Sequence, residues 1–336
     1  LIAPAFPSNT ARSGVIYPLT FALAEAGGAT AEDGSCKRVG TFLMFSGIVS
    51  LSLSSALWLT AMAGNPLGTE IARSFGVDIG FSSWLIASSL PTLLTMAIMP
   101  PLLHWLIKPE RTRTPEAPAA ARRSLAALGP LTRQERIVVA AFVGMVALWA
   151  SVATLGIDST AVAFLGLGVL LSTGVLTLED IAKEGDVLAT FIWFAVLFTL
   201  SGQLNELGFM GFLGQRIAGA LGGLPVFVAG LALVVAYVLL HYVFVSQTAH
   251  SLALLGVFLD VGVKIGVPAA PLAFQLLFAT NYFAAITPQG SSANLLFVGS
   301  GFLSQGDLYR IGGLTTAISM VLYLAVGTPW LRLVLH

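Results

Sequence analysis

Apolar runs of membrane-spanning length follow one another along this chain, and they restrict its fold more than any other feature. A helix needs about 20 apolar residues to cross a bilayer. Of the 336 residues, 56% are hydrophobic and only 10% are charged, whereas soluble domains carry about 25% charged residues. The pattern therefore predicts an all-α polytopic membrane protein. The predicted spans are 42–62, 83–107, 137–156, 159–176, 187–202, 224–244 and 309–334.

Composition also argues against several classes of partner and cofactor. The net charge of zero gives no reason to expect a nucleic-acid partner. The single cysteine, Cys36, excludes an internal disulfide and argues against a cysteine-based zinc site. The four histidines are scattered along the chain, so the sequence predicts no metal site and no cofactor.

One long hydrophilic segment divides the chain. Residues 108–136 hold seven basic residues against three acidic ones. The positive-inside rule places such a loop in the cytoplasm, and we expect the protein in the inner (plasma) membrane. The predicted organisation is a first repeat at 1–107, a basic cytoplasmic linker at 108–136 and a second repeat at 137–336.

Two polar motifs of similar sequence lie within the apolar background. The first polar motif is Pro7-Ser8-Asn9-Thr10-Ala11-Arg12, and the second polar motif is Val245-Ser246-Gln247-Thr248-Ala249-His250. Each is followed by an apolar run of helical length, and each serine is a natural helix N-cap. Capping alone would explain one such motif. Two of them suggest a two-fold binding site, because helix N-termini and neutral polar side chains suit a carboxylate.

Each polar motif is followed by an interrupted apolar segment. The first break is Ala63-Gly64-Asn65-Pro66-Leu67-Gly68, and the second break is 287–294, with Ser291, Ser292 and Asn294. Interrupted hydrophobic segments at corresponding places in two halves are typical of secondary transporters. About 109 residues separate Arg136 from Ser246. If the halves match, a similar length precedes Ser8, and we expect this chain to begin within the hairpin of its first repeat.

A basic residue occupies the same place in both polar motifs, Arg12 in the first and His250 in the second. A charge at bilayer depth is costly and is a functional candidate by default. Two cations that face one cavity would attract a dianion. The alternatives are snorkelling of Arg12 to the interface and a neutral, packed His250. We expect Asp260 and Lys264 to form an i,i+4 ion pair.

The motifs together resemble one family of transporters. Ser8-Asn9-Thr10, Ser246-Gln247-Thr248, Ala63-Gly64-Asn65-Pro66 and Gly290-Ser291-Ser292-Ala293-Asn294, with Gly299-Ser300-Gly301 after it, stand in the order of the divalent-anion:sodium symporter family. Within that family the chain is similar to the branch that exchanges 2-oxoglutarate, malate, citrate, tartrate or succinate. The resemblance covers all 336 residues.

This resemblance implies a fold, an activity and a set of site residues. It implies two inverted repeats, each with a re-entrant helical hairpin and a broken transmembrane helix, in an elevator-type homodimer that is a transporter and not an enzyme. The substrates would be di- and tricarboxylate anions. The implied substrate-binding residues are Ser8, Asn9, Thr10, Asn65, Pro66, Ser246, Gln247, Thr248, Ser291, Ser292 and Asn294.

The chain departs from the sodium-coupled pattern of this family in both polar motifs. Gln247 stands where sodium-coupled members carry Asn, and Arg12 and His250 follow the threonines. At an effective dielectric near 20, two positive charges about 5 Å apart repel by roughly 3 kcal/mol, which would weaken sodium binding about a hundredfold. We therefore predict sodium-independent exchange, with Arg12 and His250 in place of sodium. The alternative is a sodium-coupled dicarboxylate symporter.

Two other classes fit the sequence less well. Ser246 and His250 lie i,i+4 on one predicted helix, as a nucleophile and its base would in an intramembrane hydrolase. No G-x-S-x-G motif is present, however, and the first polar motif has Arg12 where a base is needed. A structural or receptor protein would not explain the duplicated breaks.

Overall fold

The computed structural model describes residues 2–6, 8–31, 37–111, 117–183, 206–221 and 223–335, together with 192, 195, 196, 199, 200 and 203. The described residues are mainly helical, and none of them forms a β-strand. Among these described residues, five helices are long and apolar enough to cross a membrane: Lys37–Leu57, Phe81–Ile107, Arg133–Val152, Val226–Val243 and Gln305–Val334. The predicted all-α polytopic membrane fold is confirmed. The predicted span at 187–202 falls for the most part outside the described residues.

The chain forms two compact units. The first unit comprises Leu1–Ile79, Ser83–Thr114 and Ser201–His336, and therefore draws on both predicted repeats. The second unit comprises Gly80–Ser82 and Pro115–Leu200. All of the candidate site residues lie in the first unit.

Two helices of the first unit begin at the polar motifs. Helix α1, Asn9–Ala26, is capped by Ser8, whose side-chain oxygen accepts a hydrogen bond from the Ala11 amide. The cap residue Ser246 has almost the same backbone angles as Ser8 and caps the helix Gln247–Lys264 in the same way. Both helices begin where the sequence predicts, because a serine in extended conformation satisfies an otherwise unpaired amide of the first turn.

The helix α2, Lys37–Leu57, leads into the first break. The sequence predicts one continuous span over 42–62, and this boundary is wrong. The helix ends at Leu57, Trp58 is extended, and a 3-10 turn at Leu59–Ala61 follows. Helicity resumes in α3, Gly64–Arg73, so the interruption lies at 58–63 and the predicted break residues 64–68 are helical. The first break therefore extends over 58–68, from the end of α2 to the first turns of α3. The apolar character of this stretch continues through the interruption, so hydropathy alone does not show where the helix stops.

The remaining helices of the first unit complete the packing around the breaks. Helix α4, Phe81–Ile107, contains three prolines. The second break separates the helix Ala269–Tyr282 from Asn294–Val298, with 3-10 turns at Phe283–Ala285 and Pro288–Gly290. The last span, Gln305–Val334, contains two π-helical turns. The other two helices are Phe209–Leu221 and Val226–Leu240.

Two glycines of α2 allow the segment after the second break to pack closely against it. A methyl group built on Gly47 would lie 2.4 Å from the Phe297 ring, and one built on Gly40 would meet the Phe302 ring. Phe297 and Phe302 are fully buried beside Phe45 in one hydrophobic cluster. The seven-residue spacing of these glycines places both on one face of the helix.

The second unit contains Ala117–Leu128, Arg133–Leu155, Ser159–Ser172 and Leu178–Lys183. The first of these helices lies inside the predicted linker. The predicted span 159–176 is wrong at its end, because the helix stops at Ser172 and the chain turns through Gly174 at a positive φ of 70°. The helix before it ends at Gly156, whose φ of 63° suits a residue without a side chain.

Glu110 ties the start of α2 to the segment after α4. Its carboxylate accepts hydrogen bonds from Arg38 Nε (3.0 Å) and from the Arg38 and Val39 amides. Partial burial raises the pKa of Glu110, but the hydrogen bonds from its own backbone, from Arg38 and from Val39 outweigh burial and lower it overall. A carboxylate at a helix N-terminus also interacts favourably with the helix dipole.

We expect stability to depend on this carboxylate at low pH. Because its pKa is lower in the folded state, its stabilising effect is present above the unfolded value of about 4.3 and is lost as the pH falls through the folded value. Thermal unfolding of the detergent-solubilised protein at pH 7 and at about pH 3, below the unfolded value, measures this. Glu110→Gln should lower the melting temperature at pH 7 and reduce its fall between the two pH values. An equal fall in variant and wild type would contradict the prediction.

Candidate functional site

The two polar motifs meet each other inside the first unit. Asn9 Nδ2 donates a hydrogen bond to Gln247 Oε1 over 3.2 Å, although 238 positions separate them in the chain. Gln247 Nε2 donates in turn to the carbonyl of Thr280 at 2.8 Å. Both side chains are buried. The starts of two long helices are thereby held side by side, as the duplicated sequence suggests.

Each polar motif also contacts the break of the other half. The Thr10 hydroxyl is hydrogen-bonded to the Ser292 hydroxyl of the second break. Thr248 lies against the first break, since a methyl group built on Gly64 would come within 3.3 Å of its Oγ1. The predicted site residues of both halves therefore lie in one place. Predicted site residues with at least partly accessible side chains are Ser8, Thr10, Pro66, Ser246, Thr248 and Ser292.

The asparagines of the two breaks have the same local role. Asn65 Nδ2 donates to the carbonyls of Ser55 and Trp58, ten and seven residues earlier. Asn294 Nδ2 donates to the carbonyls of Ala284 and Thr287, again ten and seven residues earlier. Each buried amide satisfies carbonyls that the interrupted helix would leave unpaired. The break geometry is thus duplicated 229 positions apart.

Five predicted binding residues are buried and bonded within the protein. They are Asn9, Asn65, Gln247, Ser291 and Asn294. Besides its contacts with carbonyls, Asn65 accepts a hydrogen bond from Asn281 Nδ2 at 2.9 Å. The Ser291 hydroxyl accepts from the Ala293 amide. The accessible polar groups of the site are therefore mainly hydroxyls. The amide side chains are buried and hold the surrounding backbone in place.

Arg12 is fully buried and stands two residues after Thr10. Its Nη2 donates to the Leu51 carbonyl at 2.9 Å, to Asn9 Oδ1 and to the Ser55 hydroxyl, and its Nη1 reaches the Ala61 carbonyl at 3.5 Å. No acidic side chain pairs with it among the described residues. The guanidinium therefore occupies a cluster of neutral oxygen atoms, which are also the type of ligand that hard cations take.

His250 has different surroundings from Arg12. It is fully buried, and the rings of Tyr237, Phe244 and Phe283 lie at centroid distances of 4.3, 5.0 and 5.0 Å. Neither of its ring nitrogens has a partner of ordinary hydrogen-bond geometry in the part of the chain that the structure describes. The same place in the two motifs thus holds a polar contact in one half and an aromatic one in the other.

The chain matches the family described as "Sodium:sulfate symporter transmembrane region" over residues 1–336. It belongs to this family. The predicted membership of the divalent-anion:sodium symporters is confirmed, and the family is one of membrane transporters rather than enzymes.

Relatives from plants and bacteria are similar to this chain over almost its whole length. Dicarboxylate transporter 2.1, chloroplastic, of Arabidopsis thaliana is 38% identical over 98% of this chain and 60% of its own. The putative malate transporter YflS of Bacillus subtilis is 36% identical over 98% of this chain and 70% of its own. The L-tartrate/succinate antiporter of Escherichia coli is 30% identical over all of this chain and 69% of its own. The chain thus spans about 60% to 70% of these relatives.

Outside the breaks, the predicted ion pair between Asp260 and Lys264 is confirmed at 2.6 Å.

His241 was assigned no role from the sequence, yet it is fully buried beside the second polar motif. Its Nε2 lies 2.9 Å from the Gly290 carbonyl of the second break. The sequence carries no signal for this contact, because His241 lies outside both polar motifs.

Proposed function

We propose that the protein exchanges di- and tricarboxylate anions across a membrane, with substrates of the 2-oxoglutarate, malate, succinate and citrate class. The observation that carries this proposal is the buried guanidinium of Arg12, which has no carboxylate partner among the described residues and stands two positions after the accessible Thr10. An unpaired buried cation attracts an anion. The names of the plant and bacterial relatives support a dicarboxylate as that anion.

The proposed transport does not need sodium. The Arg12 guanidinium takes the oxygen atoms of Leu51, Ser55 and Ala61, so a sodium ion at this cluster would have to displace it. A fixed positive charge also makes the empty carrier reluctant to return without an anion, which favours obligate exchange. The prediction that His250 also replaces sodium rests on the motif alone, since its ring lies among aromatic side chains.

The proposal includes the architecture of the whole protein. The duplicated caps and breaks support two repeats of inverted orientation, at 1–107 and 137–336, that move as an elevator within a homodimer. The basic segment 108–136 would lie on the cytoplasmic side of the plasma membrane. A sodium-coupled symporter is the second candidate, favoured by the description of the matched family.

Proteoliposomes distinguish the two candidates. The protein, expressed from its complete reading frame, is reconstituted with or without internal malate, and uptake of labelled succinate is followed in sodium and in potassium buffers. Uptake that needs internal anion and proceeds equally in potassium supports exchange. Uptake into empty vesicles under a sodium gradient would instead establish the symporter, and no uptake of any di- or tricarboxylate would overturn both.

The accessible hydroxyls should contribute to substrate affinity. Thr10→Val and Ser292→Ala remove one hydroxyl each with little change of shape, and a hydrogen bond to a charged group contributes about 1.5–3 kcal/mol. We expect each variant to raise KM for exchange about tenfold or more, and the double variant to show less than the combined effect because the hydroxyls contact each other. Thr173→Val in the second unit is the matched control. An unchanged KM in both single variants would remove these hydroxyls from the site.

A further inference from the structure

The carbonyl oxygens of Ala61 and Gly290 are equivalent points in the two breaks. Each closes a 3-10 turn, Leu59–Ala61 or Pro288–Gly290, and each lies four residues before the asparagine that bridges its break. Like Asn65 and Asn294, these two residues are 229 positions apart. If the breaks are alike, each of these carbonyls needs a donor.

The donors come from different places in the sequence. The Ala61 carbonyl accepts a hydrogen bond from Arg12, which belongs to the first polar motif. The Gly290 carbonyl accepts one from His241 Nε2 at 2.9 Å, although His241 precedes the second polar motif. Because a carbonyl oxygen only accepts, the hydrogen bond requires the proton to be on Nε2. His250, which holds the place of Arg12 in the motif, makes no such contact.

His241 is held firmly enough to position the second break. It lies in a short 3-10 turn, His241–Val243, that joins the helix Val226–Leu240 to the second polar motif. Its ring is fully buried and stacks on Phe283 with a centroid distance of 3.7 Å and an angle of 16°. Because stacking on Phe283 fixes the plane of the ring, its Nε2 is directed at a single acceptor.

Gly290 is equally restricted. A methyl group built on it would lie 2.5 Å from the Ala284 carbonyl oxygen, so the backbone here approaches the preceding turn more closely than any other residue type allows. Ser291 and the accessible Ser292 follow directly. The position of the Gly290 carbonyl therefore influences where the Ser292 hydroxyl meets Thr10.

We propose that His241 is the positioning residue of the second break, where its Nε2–H holds the Gly290 carbonyl as Arg12 holds the carbonyl of Ala61. Its relevance to transport depends on the proposed dicarboxylate exchange, whereas its contact with Gly290 does not. In the second half, His241 therefore does what Arg12 does in the first. Alignment of the two motifs would have selected His250 instead.

Two amide substitutions test which ring nitrogen matters. In His241→Gln the side-chain amide nitrogen can reach the position of Nε2, and in His241→Asn it reaches only that of Nδ1. We expect His241→Gln to keep KM for exchange within about threefold of wild type. His241→Asn and His241→Phe should raise KM at least tenfold, with a smaller change in maximal rate. The matched controls are His104→Gln and His104→Asn, the same two substitutions at an exposed histidine.

A second readout keeps the test independent of transport. Amide hydrogen exchange of residues 287–294, measured without substrate, should be faster in His241→Asn and His241→Phe than in wild type or His241→Gln. If the wild type carries no dicarboxylate but exchange protection follows this order, the proposed function fails and the positioning role stands. Equal protection in all four proteins, or an unchanged KM in His241→Phe, would overturn the positioning role.

Discussion

Replacing Arg12 with glutamine should lower dicarboxylate exchange by about a hundredfold or more. The change removes the buried positive charge, and a charge at about 5 Å from a substrate carboxylate contributes roughly 3 kcal/mol at an effective dielectric near 20. The shorter side chain also leaves the Leu51 and Ala61 carbonyls without their donor. Exchange in proteoliposomes measures the effect, and Arg216→Gln at an exposed position is the matched control.

Two further variants separate loss of charge from loss of structure. Arg12→Lys keeps the charge but has no planar fork to reach several acceptors at once, so we expect partial exchange with a raised KM. Arg12→Thr opens the oxygen cluster, and we expect sodium, but not potassium, to restore part of the uptake. Unchanged exchange in Arg12→Thr in potassium buffer would refute the role of Arg12. Gel filtration of each variant identifies any that simply fails to fold.

Asn294→Asp should destabilise the protein strongly, although the two side chains have the same shape. Asn294 Nδ2 donates to the Ala284 and Thr287 carbonyls at 2.7 and 3.0 Å in a fully packed environment. An ionised aspartate would place negative oxygen against both, and each buried carbonyl left without a donor costs about 1–3 kcal/mol. We expect a clearly lower melting temperature and loss of exchange.

The second break offers its own control for this substitution. Gln289→Glu makes the same amide-to-carboxylate change five residues earlier at an exposed position, and it should leave the melting temperature nearly unchanged. Asn65→Asp should resemble Asn294→Asp, because Asn65 bridges the first break in the same way. Similar melting temperatures for Asn294→Asp and Gln289→Glu would show that the bridging amide does not hold the break.

The features that the sequence predicts well are local ones. A serine before an apolar run predicts a helix start, and both Ser8 and Ser246 cap helices within one residue of the expected position. Boundaries inside apolar stretches were predicted poorly. The run 42–62 conceals the end of a helix at Leu57, since apolar side chains stand on both sides of the point where the helix ends and the Ser55 carbonyl accepts from Asn65.

The sequence predicts that the two motifs meet, but it does not predict which side chains contact each other. Nothing in the first polar motif indicates that Arg12 will reach Leu51 and Ala61, or that the Asn9 amide will point at Gln247 and not outward. Matching the two motifs position by position pairs Arg12 with His250. The fold instead brings His241 to the equivalent carbonyl, because a hydrogen bond selects a direction in space and not a place in a repeat.

The hydrogen bond between Asn9 and Gln247 has a consequence for how such a protein can change over evolutionary time. Gln247 is one methylene longer than asparagine, and its amide reaches both Asn9 and the Thr280 carbonyl. A shorter side chain at 247 would have to give up one of these partners unless the opposite helix moved. The two halves of the gene therefore constrain each other at this pair. A chimaera that joins one half to the matching half of a distant homologue would lose a hydrogen bond where the two helix starts meet.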